Sequence, residues 1–285
     1  MNRALIVSTA LAAVLLPVPG HPSEAGKENA DRLISRVVAN ELKAQQADHS
    51  LWRYRQVEGS AETGQEFEVV ETPKGSIHRL LRRNGRSLNA EETEKEDARI
   101  RQLLANPEGI EKRKKQEEKD GAQEKNLLRM LPAAFEYRYA GNKNGMIQLD
   151  FSPRASFKPR RREGEVFHHM DGTILVDAAQ ERLVEISGRL VSDVKFAAGI
   201  LGHLDKGGTF VVNQKDVGGG HWEVTRLLVN IDGKVLFFKT ISEHQNEQDT
   251  DFTPVQPNIT LQRAAELLRD GKASPPRPSL HLSLK

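Results

Sequence analysis

Nine histidines are scattered along the chain, and the only adjacent pair is His168-His169, followed by Met170-Asp171. Imidazoles beside a carboxylate could hold a divalent metal, but neighbours on a strand face opposite ways, and no H-E-x-x-H or comparable spacing occurs. No metal or other cofactor is expected. His221-Trp222-Glu223 reads as a strand end. Acyl transfer would need a strained G-x-S-x-G turn, and Ser60 after Gly59 lacks both the second glycine and a strand-to-helix context. Lys206-Gly207-Gly208-Thr209 and Gly218-Gly219-Gly220 lead into strands, so they read as hairpin turns rather than phosphate cradles at a helix N-terminus. Carboxylates are plentiful, but the sequence does not say which converge, and a hydrolase stays open as a minor alternative. The run Lys158-Pro159-Arg160-Arg161-Arg162 is the strongest local charge feature. The forked donors of Arg160, Arg161 and Arg162 suit an anionic headgroup or a partner's acidic patch, with a solvated loop as the plainer reading.

The more extensive signal is aromatic side chains at alternate positions of strand-like segments. A large antiparallel sheet must cover its apolar face with helices or curl around it, and incomplete coverage leaves an apolar groove. Trp52, Tyr54, Phe67, Phe135, Tyr137, Phe151, Phe196 and Trp222 are the candidates to line it, although most such side chains are ordinary core.

These residues are carried by readable elements. Ala30, Ile34, Val38 and Leu42, widened by Leu33 and Val37, give an amphipathic helix over residues 28–48. Alternation then predicts strands over 51–57, 66–72 and 77–83. From Asn89 to Met130 the chain is dense in Glu, Lys and Arg of both signs, which predicts helix punctuated by Pro107 and Gly121. Its apolar residues gather at the ends, so the ends can dock while the middle stays solvated. The plain reading of this stretch is a solvated insertion; a lid over a cavity is the alternative. Phe135, Tyr137 and Tyr139, then Ile147, Leu149 and Phe151, flank a glycine-bearing turn at 141–145 and form a hairpin. Further strands are predicted at 172–177, 182–187, 191–196, 209–214, 222–230 and 234–242, with Asp232-Gly233 as a tight turn between the last two. A short helix follows at Leu261–Leu268. Regular strand spacing without intervening helices indicates an α+β protein: a large curved antiparallel sheet, an incomplete barrel covered by helices, not a parallel α/β fold.

The N-terminus reads as an export signal over residues 1–25. Arg3 precedes a short apolar run from Ala4 to Leu16, which prolines break and small residues follow. The expected organisation is that segment, one domain over 26–270 with a charged insertion at about 90–131, and a disordered tail over 271–285. The mature chain is expected to be periplasmic or secreted, with no membrane-spanning segment. Lys+Arg 42 against Asp+Glu 40 leaves a formal charge of +2, which excludes a nucleic-acid binder driven by phosphate neutralisation. Cys is absent, which excludes disulfides, thiolate metal sites, a cysteine nucleophile and a lipid-modified cysteine anchor.

The order of parts, with Gly172-Thr173-Ile174-Leu175-Val176-Asp177 followed by Arg182-Leu183-Val184-Glu185-Ile186, resembles the lipoprotein-carrier superfamily typified by LolA and LolB. Gly199-Ile200-Leu201-Gly202-His203-Leu204 and Lys206-Gly207-Gly208-Thr209-Phe210 also resemble a group of exported proteins from soil bacteria. The superfamily resemblance implies a non-catalytic binder of a lipid or lipoprotein acyl chain, held on the concave face of a curved sheet without a cofactor. The long charged insertion departs from that pattern, and the absence of Cys excludes a lipid-anchored receptor. A structural or interaction module of the cell envelope, presenting the charged helices to a partner protein, is the alternative expectation.

Overall fold

The computed structural model describes residues 24–60, 62–159, 162–196, 202–235 and 239–270. The first helix, α1 (Glu24–Ala47), places Ala30, Leu33, Ile34, Val37 and Val38 on one stripe, each no more than 6% exposed. Its helical spacing creates an apolar ridge too wide to be left in water, and burial of each large side chain contributes about 2 kcal/mol. The ridge lies against a single antiparallel sheet.

Strands β1 (Trp52–Glu58), β2 (Gln65–Val70), β3 (Ile77–Arg83) and the short β4 (Arg86–Ser87) come first. After two helices the chain returns as β5 (Phe135–Lys143), β6 (Met146–Pro153), β7 (Met170–Asp177), β8 (Arg182–Leu190), β9 (Val194–Phe196) and β10 (Gly202–Leu204). Three long strands close the sheet: β11 (Thr209–Gly218), β12 (His221–Val235) and β13 (Lys239–Pro254). The path across it is β4-β3-β2-β1-β13-β12-β11-β8-β7-β6-β5, with β10 pairing β12 and β9. The expected α+β architecture holds: among the described residues thirteen strands form one large antiparallel sheet that is not closed into a barrel.

Directly opposed residues of antiparallel strands share a face, so the register assigns each side chain. Tyr137↔Phe151, Phe151↔Gly172, Leu149↔Ile174 and Ile174↔Ile186 define one face over β5 to β8. That face packs on α1, and with it forms the main core. Ile186↔Val212, Val212↔Leu227 and Leu227↔Glu247 carry the same face on to β13. Helix α1 crosses several strands: Asp31, near the helix start, bonds Arg154 just after β6, and Asp48, just past its end, bonds His221 at the start of β12.

A second core gathers Val70 and Ile77 with Ile100 of α2 (Ala90–Leu104) and with Leu261, Ala264, Ala265 and Leu268 of α4 (Leu261–Asp270). Helix α2 starts in a capping box, in which Asn89 accepts from the Glu92 amide and Glu92 accepts from the Asn89 amide. Between the cores runs α3 (Pro107–Ala134). Its Ile110 packs on the second core, and Leu127, Leu128, Met130 and Leu131 belong to the main one. The intervening stretch spans roughly 25 Å at helical rise and is almost wholly exposed.

Several local expectations are corrected. Asp232-Gly233 is not a turn: both lie within β12, opposite Ser242 and Ile241. A Cβ at Gly233 would come within 2.3 Å of the His203 carbonyl, so glycine is needed there for the close approach of β10. Strand β13 extends to Pro254, well past the predicted end at 242. His168-His169 lies not on a strand but at the end of a 3₁₀ helix (Arg162–His169). Gly121 does not interrupt α3, and α1 begins at Glu24. Residues 1–23 of the expected export segment and the tail from 271 onward lie outside the described residues. Among the described residues no helix is long and apolar enough to cross a membrane.

Candidate functional site: an acidic and aromatic patch on the inner face

Alternation along β1 sends Trp52, Tyr54, Gln56 and Glu58 to the face that α1 covers elsewhere, and Arg53, Arg55 and Val57 to the other. The outer face is internally neutralised: Arg53 pairs with Glu68, Arg55 with Glu66, and Arg79 of β3 with Asp97 of α2. On the inner face the charged residues that β13 sets opposite β1 are acids. Gln56 stands opposite Asp249 and Glu58 opposite Glu247. A register shift between Arg53 and Arg55, with Asp251 at φ 59, brings Phe252 beside β1. Its ring stacks on Tyr54 with centroids 5.0 Å apart and meets Trp52 edge-on at 6.2 Å.

Two further segments complete the patch. Glu71, just beyond β2, accepts the Trp52 backbone N–H through Oε2 at 2.9 Å. The first residues of β12 supply His221, whose ring lies 5.7 Å from Trp52 and whose Nδ1 is 2.9 Å from Asp48 Oδ2, and Glu223, which the Trp52 side chain also reaches.

Electrostatics follow from burial among neighbouring acids. Burial raises the Glu71 pKa to about 7; the Trp52 amide opposes this, and Asp249, Asp48 and Glu117 add to it. Glu223 also reaches about 7, through burial and then Glu71 and Asp48, against the weaker opposing pull of Trp52 and His221. Asp249 rises to about 7 through burial and Glu247, opposed by the Gln56 amide. The Tyr54 hydroxyl is pushed up by burial and by Glu71, Asp249, Glu247 and Glu223. None of the leading influences on Glu71, Glu223 or Asp249 is a lysine or arginine. Asp48 differs: burial disfavours its charge, but bonds from Ser50 and His221 outweigh this and hold its pKa below the usual range.

Two oxygens here are unsatisfied. Asp249 Oδ1 and Gln56 Oε1 accept no hydrogen bond, although the residues are only 8% and 5% exposed. Each such buried acceptor costs about 1–3 kcal/mol, more when charged.

The chemistry this arrangement can do is bounded by geometry. Ser50 donates its amide to Asp48 Oδ1, and its hydroxyl accepts from Trp52 Nε1. The serine is therefore held on the carboxylate side of the Asp48–His221 pair, whereas nucleophilic catalysis places it on the free imidazole nitrogen. Among the described residues no group of three or more His, Asp or Glu is placed to hold a metal ion.

Of the aromatic residues singled out in the sequence, Trp52, Tyr54 and Phe67 fall on the inner face of β1 and β2. Trp52 is buried; Tyr54 and Phe67 are half-buried, and Phe67 is edge-on to His78 at 6.2 Å. Phe135, Tyr137 and Phe151 are at most 3% exposed, packed under α1. Trp222 lies beneath the Arg182 guanidinium, 5.1 Å from ring to Cζ. Phe196 ends β9, and its side chain is outside the described residues. Arg160 and Arg161 also lie outside them, and Arg162 opens the 3₁₀ helix. The structure thus divides the predicted lining: one group is core, another faces the acidic patch.

Sequence reasoning missed Glu247, Asp249 and Phe252. They sit in a Glu-, Gln- and Asp-rich segment of low strand propensity. The signal that could have found them is the spacing of Glu247, Asp249 and Asp251 against Gln248 and Thr250, acids alternating with neutral residues at period two.

Comparison with protein-family models, with curated proteins and with solved structures gives no match. The class defined here is a helix-filled, open antiparallel sheet with an acidic, aromatic patch on its inner face.

Proposed function

We propose that this chain is a non-catalytic binding protein, acting after export, that takes an apolar chain such as that of a lipid or lipoprotein on the part of the inner face that α1 leaves uncovered. One observation carries this reading. Tyr54, Phe67, Val212, Leu227, Val229 and Phe252 are all half-buried and belong to neither hydrophobic core. The register of β1, β2, β11, β12 and β13 groups five of them on the inner face, and the stack on Tyr54 holds Phe252 with them. Apolar side chains on one face that belong to neither core are the property a ligand face needs.

Helix α3 supports the same reading. Its ends are anchored in two separate cores while its charged middle strides between them, touching α1 through Gln45–Glu124 at 3.4 Å. Such a helix can cover a ligand without occupying the ligand's place.

Native mass spectrometry and organic extraction of the purified mature protein test the proposal. A co-purifying lipid, or saturable uptake of a fluorescent fatty acyl probe that Leu227→Glu weakens, is the expected result. A protein that carries no lipid and takes up no acyl probe would not be a carrier.

A further inference from the structure

We infer that the ligand taken on this face carries a cationic amine, which Asp249 and Gln56 receive beside the Tyr54–Phe252 stack. The inference rests on the binding face proposed above and specifies the chemistry of what binds there.

Three observations lead to it. The first is unmet acceptor capacity. Gln56 and Asp249 are directly opposed across the β1–β13 pair, both more than nine-tenths buried; the Gln56 side chain hydrogen-bonds Asp249, and Asp249 Oδ1 and Gln56 Oε1 are left without a donor. A buried acceptor pair calls for a group that brings N–H donors and no acceptors, and an ammonium has that composition.

The second is charge segregation. Arg53 and Arg55 of β1 and Arg79 and Arg82 of β3 pair with acids on the outer face. On the inner face Glu71, Glu223, Glu247 and Asp249 surround the Tyr54 hydroxyl closely enough to shift it, and no lysine or arginine ranks among the influences on Glu71, Glu223 or Asp249. With a formal charge of only +2 over the whole chain, this negative patch is a local property and not the outcome of an acidic composition.

The third is the aromatic wall. Tyr54 and Phe252 stack with an interplanar angle of 19°, and Trp52 meets Phe252 at 81°. Tyr54 and Phe252 are half-buried, and an aromatic ring beside carboxylates attracts a cation to its face, the interaction by which proteins hold alkylammonium groups. The half-buried Leu227 and Val229 continue from this wall along β12 and suit the chain attached to the amine. The ligand is thus an amine-bearing amphiphile, its head at Asp249 and its chain along β12.

The experiment compares three probes of equal chain length, dodecylamine, dodecanol and dodecanoate. Each is titrated below its micelle-forming concentration into the full mature protein at neutral pH and followed by tryptophan fluorescence and calorimetry. The amine should bind about tenfold or more tighter than the alcohol, and dodecanoate weakest. Asp249→Asn should remove most of the amine's advantage over dodecanol, and Glu223→Gln should do so in part; circular dichroism confirms that both variants fold. Equal binding of the three probes overturns the amine assignment and leaves the apolar face standing. Binding of none overturns both. An amine preference that survives Asp249→Asn overturns the site.

Discussion

Glu41 projects from the apolar stripe of α1 and grips Arg182 at the start of β8, with Nε to Oε1 at 2.8 Å and Nη2 to Oε2 at 2.9 Å. The Leu183 amide adds a third bond to Oε1 at 2.7 Å. The two side chains are 3% and 11% exposed, so the pair is an interior clamp between helix and sheet. Such a pair adds little net energy when complete and costs much when halved. Glu41→Ala should lower unfolding free energy by about 3–5 kcal/mol, because it leaves a buried guanidinium without its anion. Replacing both residues by methionine should cost clearly less. Urea denaturation of the three proteins measures the difference, and a double variant as unstable as the single one would refute the assignment.

The inner-face acids set a pH dependence. Asp249 rises from an ordinary value of 3.8 to about 7, and Glu71 and Glu223 from 4.5 to about 7. Between those values the folded state holds protons that the unfolded state has released. Their contribution is therefore fully present below the ordinary carboxylate range and lost as pH rises through about 7. Thermal stability should fall as the solution is taken from pH 6 to pH 8. Asp249→Asn should recover on the order of 1 kcal/mol at pH 8, roughly 2–4 °C in Tm for a chain of this size, with the gain shrinking steadily toward pH 4. A melting series across this range is the measurement, and a gain independent of pH would mean that Asp249 contributes no proton linkage.

Gly172 and Gly188 stand opposite each other in β7 and β8 and let aromatic rings lie over the sheet. A Cβ at Gly172 would fall 2.7 Å from the Phe151 ring and 2.0 Å from the Ser187 carbonyl; one at Gly188 would fall 2.6 Å from the Phe210 ring. Gly172→Ala should destabilise by about 2–3 kcal/mol through overpacking. Gly141→Ala, where nothing lies within 4 Å, should stay within about 0.5 kcal/mol. Equal effects at the two positions would contradict the packing described.

Helix α3 should separate into energetic ends and a neutral middle. Leu131 is 8% exposed in the main core, and Leu131→Ala should cost about 2–4 kcal/mol. Alanine at Lys112, Lys115 and Lys119, all exposed, should each change stability by less than about 0.5 kcal/mol. A large loss at these lysines in chemical denaturation would mean that the middle of α3 is packed.

Local periodicity made the strands β1 to β3, the β5–β6 hairpin and the helices α1 and α4 legible, because apolar residues recur there at the spacing of the element that buries them. The charged ends-docked helix was readable for the same reason: the apolar residues of α3 gather at its two ends, Ile110 at one and Leu127, Leu128, Met130 and Leu131 at the other. What failed was polar structure. The segment 243–254 has no apolar alternation, since it borders the acidic patch, and Asp232-Gly233 has the composition of a turn although its glycine serves a backbone crossing.

The amino-acid order alone determined that an open antiparallel sheet would form with a helix to fill it, because amphipathic faces of fixed period admit few other ways of leaving water. It could not determine which aromatic residues would be filled core and which would remain half-covered. Phe135 and Tyr54 look alike in sequence, and only the placement of α1 over β5 to β8 separates them. Nor could it place the patch, since Gln56 and Asp249 lie near opposite ends of the chain and meet through the β1–β13 pairing. Strand partners distant in sequence are chosen by the packing of the whole sheet, and no local pattern encodes them.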